Sequence, residues 1–243
     1  LLAALLLRDE LRQWMLFYDA ARAARNGDFA GSEEQLETIL AANPDFDRAR
    51  SLLLDVSSEL VLPTLPRELT VKHNHRLGSC SGRLTLREDG IAYSSKSHGL
   101  WQWRFEHIRE MDVRSSRGFV IQTHEDDMLG LLSSKNYNFS LLSDSPEEHF
   151  WKRYERLYRR SRDTAIEENL AAVQLAARQS QYVANLSSGL KCRLSIAKWR
   201  LLQPELLLLD EPYGVLDGSG VDLLEDFLLA QCARGGIVVI ASH

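Results

Sequence analysis

Hydrophobic spacing changes period twice along the 243-residue chain. Up to about residue 66, apolar or small side chains recur at helical spacing, through Leu11, Met15, Tyr18, Ala21 and Ala24. Asn26-Gly27-Asp28 breaks that pattern, and Gly suits a helix C-terminus. A second helix is predicted over 29–42, stopped by Asn43-Pro44, and a third over 47–60, stopped near Pro63 and Pro66. From 67 to 162 the period becomes two: Leu84/Leu86, Ile91/Tyr93, Trp101/Trp103/Phe105, Phe119/Ile121 and Tyr137/Phe139/Leu141 alternate with polar residues. Gly78, Gly82, Asp89-Gly90, His98-Gly99 and Arg117-Gly118 are read as the turns between these short antiparallel strands. Ser145-Pro146-Glu147-Glu148 then supplies an N-cap, a first-turn Pro and a capping-box Glu. The helix so opened carries one apolar stripe, Phe150, Trp151, Tyr154, Leu157 and Tyr158.

From 163 to 243 the pattern alternates between helix and buried strand. Leu186-Ser187-Ser188-Gly189-Leu190-Lys191 opens a helix that runs to Leu202 and is ended by Pro204. Leu206 to Leu209 is wholly apolar, as expected of a strand buried on both faces. It delivers Asp210-Glu211-Pro212, and Leu216-Asp217 follows at a turn. A helix over about 220–232 returns through Gly235-Gly236 to a second apolar run, Ile237 to Ile240, ending in Ser242-His243. Carboxylates at the C-terminal tip of a parallel strand are the geometry of an α/β nucleotide site. Ser187, Ser188 and Gly189 lie at a helix N-terminus, where backbone N–H groups and the dipole attract anions. Asp210 can hold a metal-bound water, Glu211 can polarise an attacking water, and His243 can reach a terminal phosphate.

Composition narrows the class. The chain is 44% hydrophobic and 26% charged, which fits a globular protein, and its length predicts about two domains. Twenty-nine Lys and Arg against 34 Asp and Glu give a net charge of −5, which argues against nucleic acid as a partner. Cys80, Cys192 and Cys232 are too far apart for a CxxC pair or a disulfide framework, pointing to a cytoplasmic setting. The apolar run Leu1 to Leu7 is too short for a membrane span, which needs about 20 residues, and it lacks the marks of a signal peptide. The ends, Leu1 and a His243 directly after an apolar run, are read as those of a fragment, a fusion or joined segments.

Other polar clusters have simpler readings. Lys72, Arg76, Arg83 and Arg87 are interleaved with acids and are read as a solvated strand face rather than a phosphoinositide site. The basic run Lys152, Arg153, Arg156, Arg159, Arg160 and Arg162 is explained in part by the dipole at a helix C-terminus. His73-x-His75 could begin a metal site, but no Cys or carboxylate set completes it, and the pair is read as structural.

Three resemblances follow from these residues. Ala20, Gly27, Phe29 and Pro44, with Ser32 in place of the usual Ala, resemble about one and a half tetratricopeptide repeats; a generic helical hairpin is the other reading. Strands closed by one C-terminal helix resemble, in pattern only, a pleckstrin-homology-like domain. Leu186-Ser-Ser-Gly189, Leu206 to Glu211, Leu216-Asp217 and His243 resemble the signature motif, Walker B strand, D-loop and H-loop of ATP-binding-cassette (ABC) ATPases. Thr164 to Leu170 resembles the entry to that family's helical subdomain, and Arg193-Leu-Ser-Ile-Ala197 the run after its signature. Asp217-Gly-Ser-Gly-Val221 and the segment from Ala233 to His243 are most similar to the haem-exporter, cytochrome c maturation branch.

The expected fold is therefore multidomain α and β: a helical hairpin repeat over 1–66, an antiparallel barrel-like domain with a terminal helix over 67–162, and a partial α/β unit of P-loop-NTPase type over 163–243. The ABC resemblance implies ATP and Mg²⁺ as cofactors, Asp210 organising the metal and Glu211 as general base. It implies that His243 senses the γ-phosphate, that Asp217 couples two sites, and that Ser187, Ser188 and Gly189 face a nucleotide held by a second ATPase subunit. A transmembrane subunit is the other implied partner, placing the chain at the inner face of a membrane. Two signature positions depart from the family: Ser188 stands where Gly is usual and Leu190 where Gln is usual. The family's Q-loop region before Thr164 has no counterpart. No Gly-x-x-x-x-Gly-Lys-Ser/Thr loop occurs in the 243 residues; that loop cradles the phosphates, so the chain alone is expected to be inactive. The alternative is a non-enzymatic adaptor that binds a protein or membrane partner through residues 1–162.

Overall fold

A computed structural model of the chain describes residues 2–75, 78–115, 118–126, 134–142 and 146–241. The chain divides into two compact units, Leu1–Ser161 and Arg162–His243, and the architecture is mixed α and β.

The first unit opens with three helices, α1 (Leu2–Arg25), α2 (Phe29–Ala42) and α3 (Asp47–Val61). The expected breaks hold: Asp28 caps α2 by accepting from the Gly31 N–H at 3.0 Å. Their shared core is Ala20, Leu36, Ile39, Ala49, Leu53 and Val56. The buried face of α1 differs from the stripe read in the sequence. Leu11, Met15 and Tyr18 are exposed at 58%, 69% and 60%. Ala24 of that stripe does turn inward, but with Phe17 and Ala20, and Phe17 meets Phe46 at 5.3 Å between ring centres. Apolar spacing on α1 marks two faces, and only one has a neighbour among the described residues.

Seven strands follow: β1 (Arg67–His75), β2 (Gly78–Leu86), β3 (Gly90–Ser95), β4 (Gly99–Arg104), β5 (Ile108–Ser115), β6 (Gly118–Asp126) and β7 (Ser134–Leu141). They form one curled antiparallel sheet in the order β4-β3-β2-β1-β7-β6-β5. No pairing between β4 and β5 closes it into a barrel among the described residues. Strands β1 and β5 lie outside the alternating runs named from the sequence, and Gly82 is no turn. It pairs with Val71 inside β2, and a Cβ there would stand 2.5 Å from the Ser94 carbonyl oxygen and from the Tyr93 ring. Glycine is needed at that point for close approach of β3. Arg76, Arg117 and the N-cap Ser145 lie outside the described residues.

Helix α4 (Glu148–Ala172) packs its predicted stripe, Phe150, Trp151, Tyr154, Leu157 and Tyr158, into the core of the sheet. The Tyr154 hydroxyl lies 3.0 Å from the Arg87 carbonyl oxygen and 2.8 Å from that of Gly90, and the Tyr158 hydroxyl 3.0 Å from that of Ile108. Each ring thus buries its body and satisfies its polar tip. Burial raises the Tyr154 phenol far above its ordinary value and keeps it neutral.

The length of α4 overturns the dipole explanation of its basic run. Those residues lie mid-helix, and the last turn carries no base. They are matched to acids instead. Glu33, 6% exposed on α2, receives Arg153 Nε and Nη2 on Oε2 at 3.0 and 2.7 Å. It receives Arg156 Nη1 and the Ser57 hydroxyl on Oε1 at 3.0 and 2.7 Å. Arg156 also reaches Glu37 at 2.6 Å, and Arg160 reaches Asp55 at 2.9 Å. The sheet-face bases behave as expected: Arg83 pairs with Glu68 and Arg87 with Asp89.

The second unit contains α5 (Ser188–Leu202), β8 (Leu206–Asp210), α6 (Gly218–Ala233) and β9 (Ile237–Ala241). Strands β8 and β9 pair in parallel, Leu206 with Ile237 through Asp210 with Ala241. Leu207 and Leu209 face a core of Val173, Leu175, Ile196, Leu224, Phe227 and Leu228. The expectation of burial on both faces fails: Leu206 and Leu208 are 54% and 67% exposed, and Ile237 and Val239 are 61% and 51% exposed. Among the described residues only one face of this two-stranded sheet is covered. Thr164 to Leu170 is the last part of α4.

Glu33 yields a stability prediction. Burial pushes its carboxyl up, but hydrogen bonds from Arg153 and Ser57, with the charges of Arg153 and Arg156, outweigh this and hold it below its ordinary 4.5. Its contribution is therefore full above about pH 4.5 and lost as pH falls through the lowered folded value. Glu33→Gln should destabilise the chain at neutral pH by about 2–3 kcal/mol, on the low side for a broken buried pair because the guanidiniums reach water. Denaturant titrations at pH 7 and pH 3 should show the difference between mutant and parent shrinking at the lower pH.

Candidate functional site

Ser187 is the N-cap of α5: its backbone is extended (φ −63°, ψ 164°) and its hydroxyl oxygen accepts the Leu190 N–H at 3.3 Å. The hydroxyl proton remains available to donate. A helix leaves its first N–H groups without intrahelical partners, and here they carry the positive end of the dipole at an exposed corner. Ser187 and Ser188 are exposed and Gly189 is half-buried. Gly189 has a packing reason as well as a chemical one: a Cβ there would stand 2.9 Å from the Val215 carbonyl oxygen. The first turn of α5 therefore lies against the loop that follows β8.

That loop starts at the carboxylates. Asp210 ends β8 and is exposed at its tip, beside Ala241 of β9. Glu211, also exposed, has φ 43°, in the left-handed region. For a non-glycine residue this costs about 1–3 kcal/mol. Pro212 disfavours the right-handed helical region for the residue before it, and the Glu211 N–H donates to the Ala241 carbonyl at 2.9 Å. Sheet register and Pro212 together fix the backbone that carries Glu211. Two of the expected carboxylates thus share a strand tip, while His243 lies outside the described residues.

Asp217 does more than mark a turn. It caps α6, accepting the Gly220 N–H at 2.8 Å, and on the same Oδ1 it receives Arg193 Nη2 at 2.6 Å. Arg193 is 6% exposed; it also donates to Ser219 at 2.7 Å and to Gln174 at 2.8 Å. The Arg193 hydrogen bond, then the Gly220 N–H, hold the Asp217 carboxyl below its ordinary 3.8. The sequence reading placed Arg193 only within the run after the signature. Its signal was available: Arg193 sits on the same face of α5 as Ile196 and Ala197, and a cation on an apolar helix face needs an acid opposite it.

The arrangement gathers an anion-attracting helix corner, a strand tip with two carboxylates and a capped helix whose cap is ion-paired. A parallel strand with carboxylates at its C-terminal end, joined through a capped helix to the next strand, defines an α/β nucleotide-site unit. Comparison with known proteins agrees. The family model described as ABC transporter matches residues 66–214, and the chain belongs to that family. The match begins earlier than the motifs read from the sequence and ends just before Leu216-Asp217. Over 81 residues, a third of this chain and 39% of the relative, it is 42% identical to the cytochrome c biogenesis ATP-binding export protein CcmA of Vibrio cholerae. It is equally identical over 79 residues to the protein of the same name from Pseudomonas fluorescens, covering 37% of that relative. It is 38% identical over 82 residues to the nitrate import ATP-binding protein NrtC of Synechococcus elongatus, covering 12% of it. The chain spans well under half the length of these curated relatives. No helix of the described residues is long and apolar enough to cross a membrane.

The two roles of Asp217 can be separated. Asp217→Asn keeps a capping oxygen but removes the counter-charge of Arg193, whereas Asp217→Ala removes both. Amide exchange at Gly220 should quicken roughly fivefold in the Ala variant and less in the Asn variant. Because the folded carboxyl titrates below 3.8, the gap between parent and Asn variant should close only as pH falls through that lowered value.

Proposed function

We propose that the chain is a partial ATP-binding subunit of an ABC transporter that serves ATP-driven export, with haem export in cytochrome c maturation as the branch its relatives suggest. The observation that carries this reading is the exposed strand tip of Asp210 and Glu211, with the Ser187-capped turn of α5 against the loop that follows. Ser187 keeps a hydroxyl proton for a phosphate oxygen, Ser188 and Gly189 supply backbone N–H groups, Asp210 is the residue that would hold Mg²⁺, and Glu211 is the base. Asp217, tied to Arg193, would transmit movement of the loop to α5, and His243 would contact the γ-phosphate. Bound Mg²⁺ would neutralise phosphate charge at this tip. The residues fit the signature and carboxylate sides of such a site. They do not fit the phosphate cradle, because no Gly-Lys loop occurs in the sequence. A second ATPase subunit and a transmembrane subunit are the proposed partners, at the cytoplasmic side of a membrane.

In this reading residues 1–66 form a tetratricopeptide-like segment, 67–162 a pleckstrin-homology-like domain and 163–243 the partial ABC unit. A second reading, a non-enzymatic adaptor, is favoured by the outward stripe of α1, where Leu11, Met15 and Tyr18 are exposed.

The purified chain should hydrolyse ATP no faster than Glu211→Gln, measured as phosphate release with Mg²⁺ present. Turnover that the substitution removes would show that the chain completes a catalytic site by itself. It would overturn the assignment as an inactive half.

A further inference from the structure

One cluster of chemistry lies far from the nucleotide-site residues in sequence, on the antiparallel sheet. The inward face of β1 runs Leu69, Val71, His73, with His75 next on the same side; the first three are buried and His75 is exposed. Antiparallel register sets His73 directly opposite Cys80 of β2. The turn between β3 and β4 brings His98 to the same place, held by its own N–H donating to the Ser95 hydroxyl at 3.1 Å. Sequence spacing pairs only His73 with His75; folding supplies the thiol and the third imidazole.

We propose that His73, His75, Cys80 and His98 form a binding site for a divalent transition-metal ion of the zinc class. One ligand atom from each of the four lies within 4.8 Å of all the others. His73 Nδ1 and Cys80 Sγ are 3.7 Å apart. A tetrahedral ion with Zn–N near 2.0–2.1 Å and Zn–S near 2.3 Å sets its nitrogen and sulfur ligands about 3.6 Å apart. That pair already stands at the spacing a shared ion requires, and small side-chain rotations close the rest. The three imidazole ring centres are 5.4–5.6 Å from one another. His98 Nε2 is buried with no hydrogen-bond partner, an orphan of the kind a metal bond satisfies.

The surroundings suit the same ion. The Tyr93 hydroxyl lies 3.2 Å from Cys80 Sγ, within reach to donate to a metal-bound thiolate. Trp101 packs against the rings of His98 and His73, at 4.9 and 5.3 Å between centres, and limits how far they can turn. A cavity of about 390 Å³, lined by His73, His75, Trp101 and Tyr137 among others, gives solvent access. Three imidazoles and one thiolate select zinc, copper or cobalt over Mg²⁺ and Ca²⁺, which take oxygen ligands. Four protein ligands fill a tetrahedral shell, so the ion braces β1, β2 and the β3–β4 turn and leaves no position for substrate. On binding, the Cys80 S–H bond breaks, a sulfur–metal bond forms and the proton passes to water; no electron changes hands.

The test uses the full chain, stripped with chelator and titrated with Co²⁺. Tetrahedral d–d bands and a thiolate-to-cobalt charge-transfer band are expected, saturating at one equivalent and abolished by Zn²⁺. Cys80→Ser should remove the charge-transfer band. His75→Ala, at an exposed position, should weaken Co²⁺ binding at least tenfold while leaving the circular dichroism unchanged. Cys192→Ser with Cys232→Ser should leave both bands intact. Absence of the charge-transfer band, or its persistence in Cys80→Ser, overturns the site, as does unchanged affinity in His75→Ala.

Discussion

A guanidinium taken out of water must be met by charge and by hydrogen bonds, and Arg193 meets both demands at a single place. Asp217, Ser219 and Gln174 converge on it, so the N-terminus of α6, the chain after α4 and the middle of α5 are referred to one side chain. The loop between Asp210 and Asp217 is thereby pinned at its far end by an ion pair. At its near end it is pinned by the hydrogen bond from Glu211 to Ala241. Gly189 then lets the first turn of α5 approach that loop at Val215. The relation between an anion-attracting helix corner and two carboxylates is a consequence of these three contacts.

The first unit solves the same electrostatic problem with the signs reversed. Glu33 is the buried acid, and two arginines of α4 with one serine of α3 satisfy its oxygens. The helical hairpin and the strand-closing helix therefore share a polar contact between two otherwise separate apolar cores. Buried ion pairs add little net stability against apolar replacements, but they penalise any arrangement that leaves one member alone. Here that penalty selects which face of α4 meets α2.

How much of this was legible in the sequence depends on whether the signal was local. The helices from α1 to α3, the stripe on α4 and the order helix, strand, helix, strand in the second unit all follow from periodicity and punctuation. Residues 210 and 211 at a strand tip followed from the apolar run before them. What failed were partners distant in sequence. The dipole accounts for only part of the basic run of α4 in the sequence, because Glu33, Glu37 and Asp55 lie about a hundred residues earlier. His73 and His75 lacked a third ligand because register, not spacing, places Cys80 opposite. Leu11, Met15 and Tyr18 satisfied a helical period yet face outward, since spacing identifies an apolar face without saying what covers it.

The exposed side of β8 and β9 is the same lesson in energetic form. Burying a leucine, isoleucine or valine side chain is worth about 1.5–3 kcal/mol, and Leu206, Leu208, Ile237 and Val239 are each more than half exposed. A sheet held from one face fixes its strand tips less firmly than one covered on both, and Asp210 and Glu211 are carried on such a tip. Catalysis by positioned charge depends on that rigidity, because a misplacement of about an ångström can cost a hundredfold in rate. Among the described residues this sheet is covered on one face only, so its tips depend on the loop contacts at Asp217 and Ala241. If Asp210 and Glu211 act on a phosphate as proposed, any surface that covers Leu206, Leu208, Ile237 and Val239 would also steady the tip that carries them.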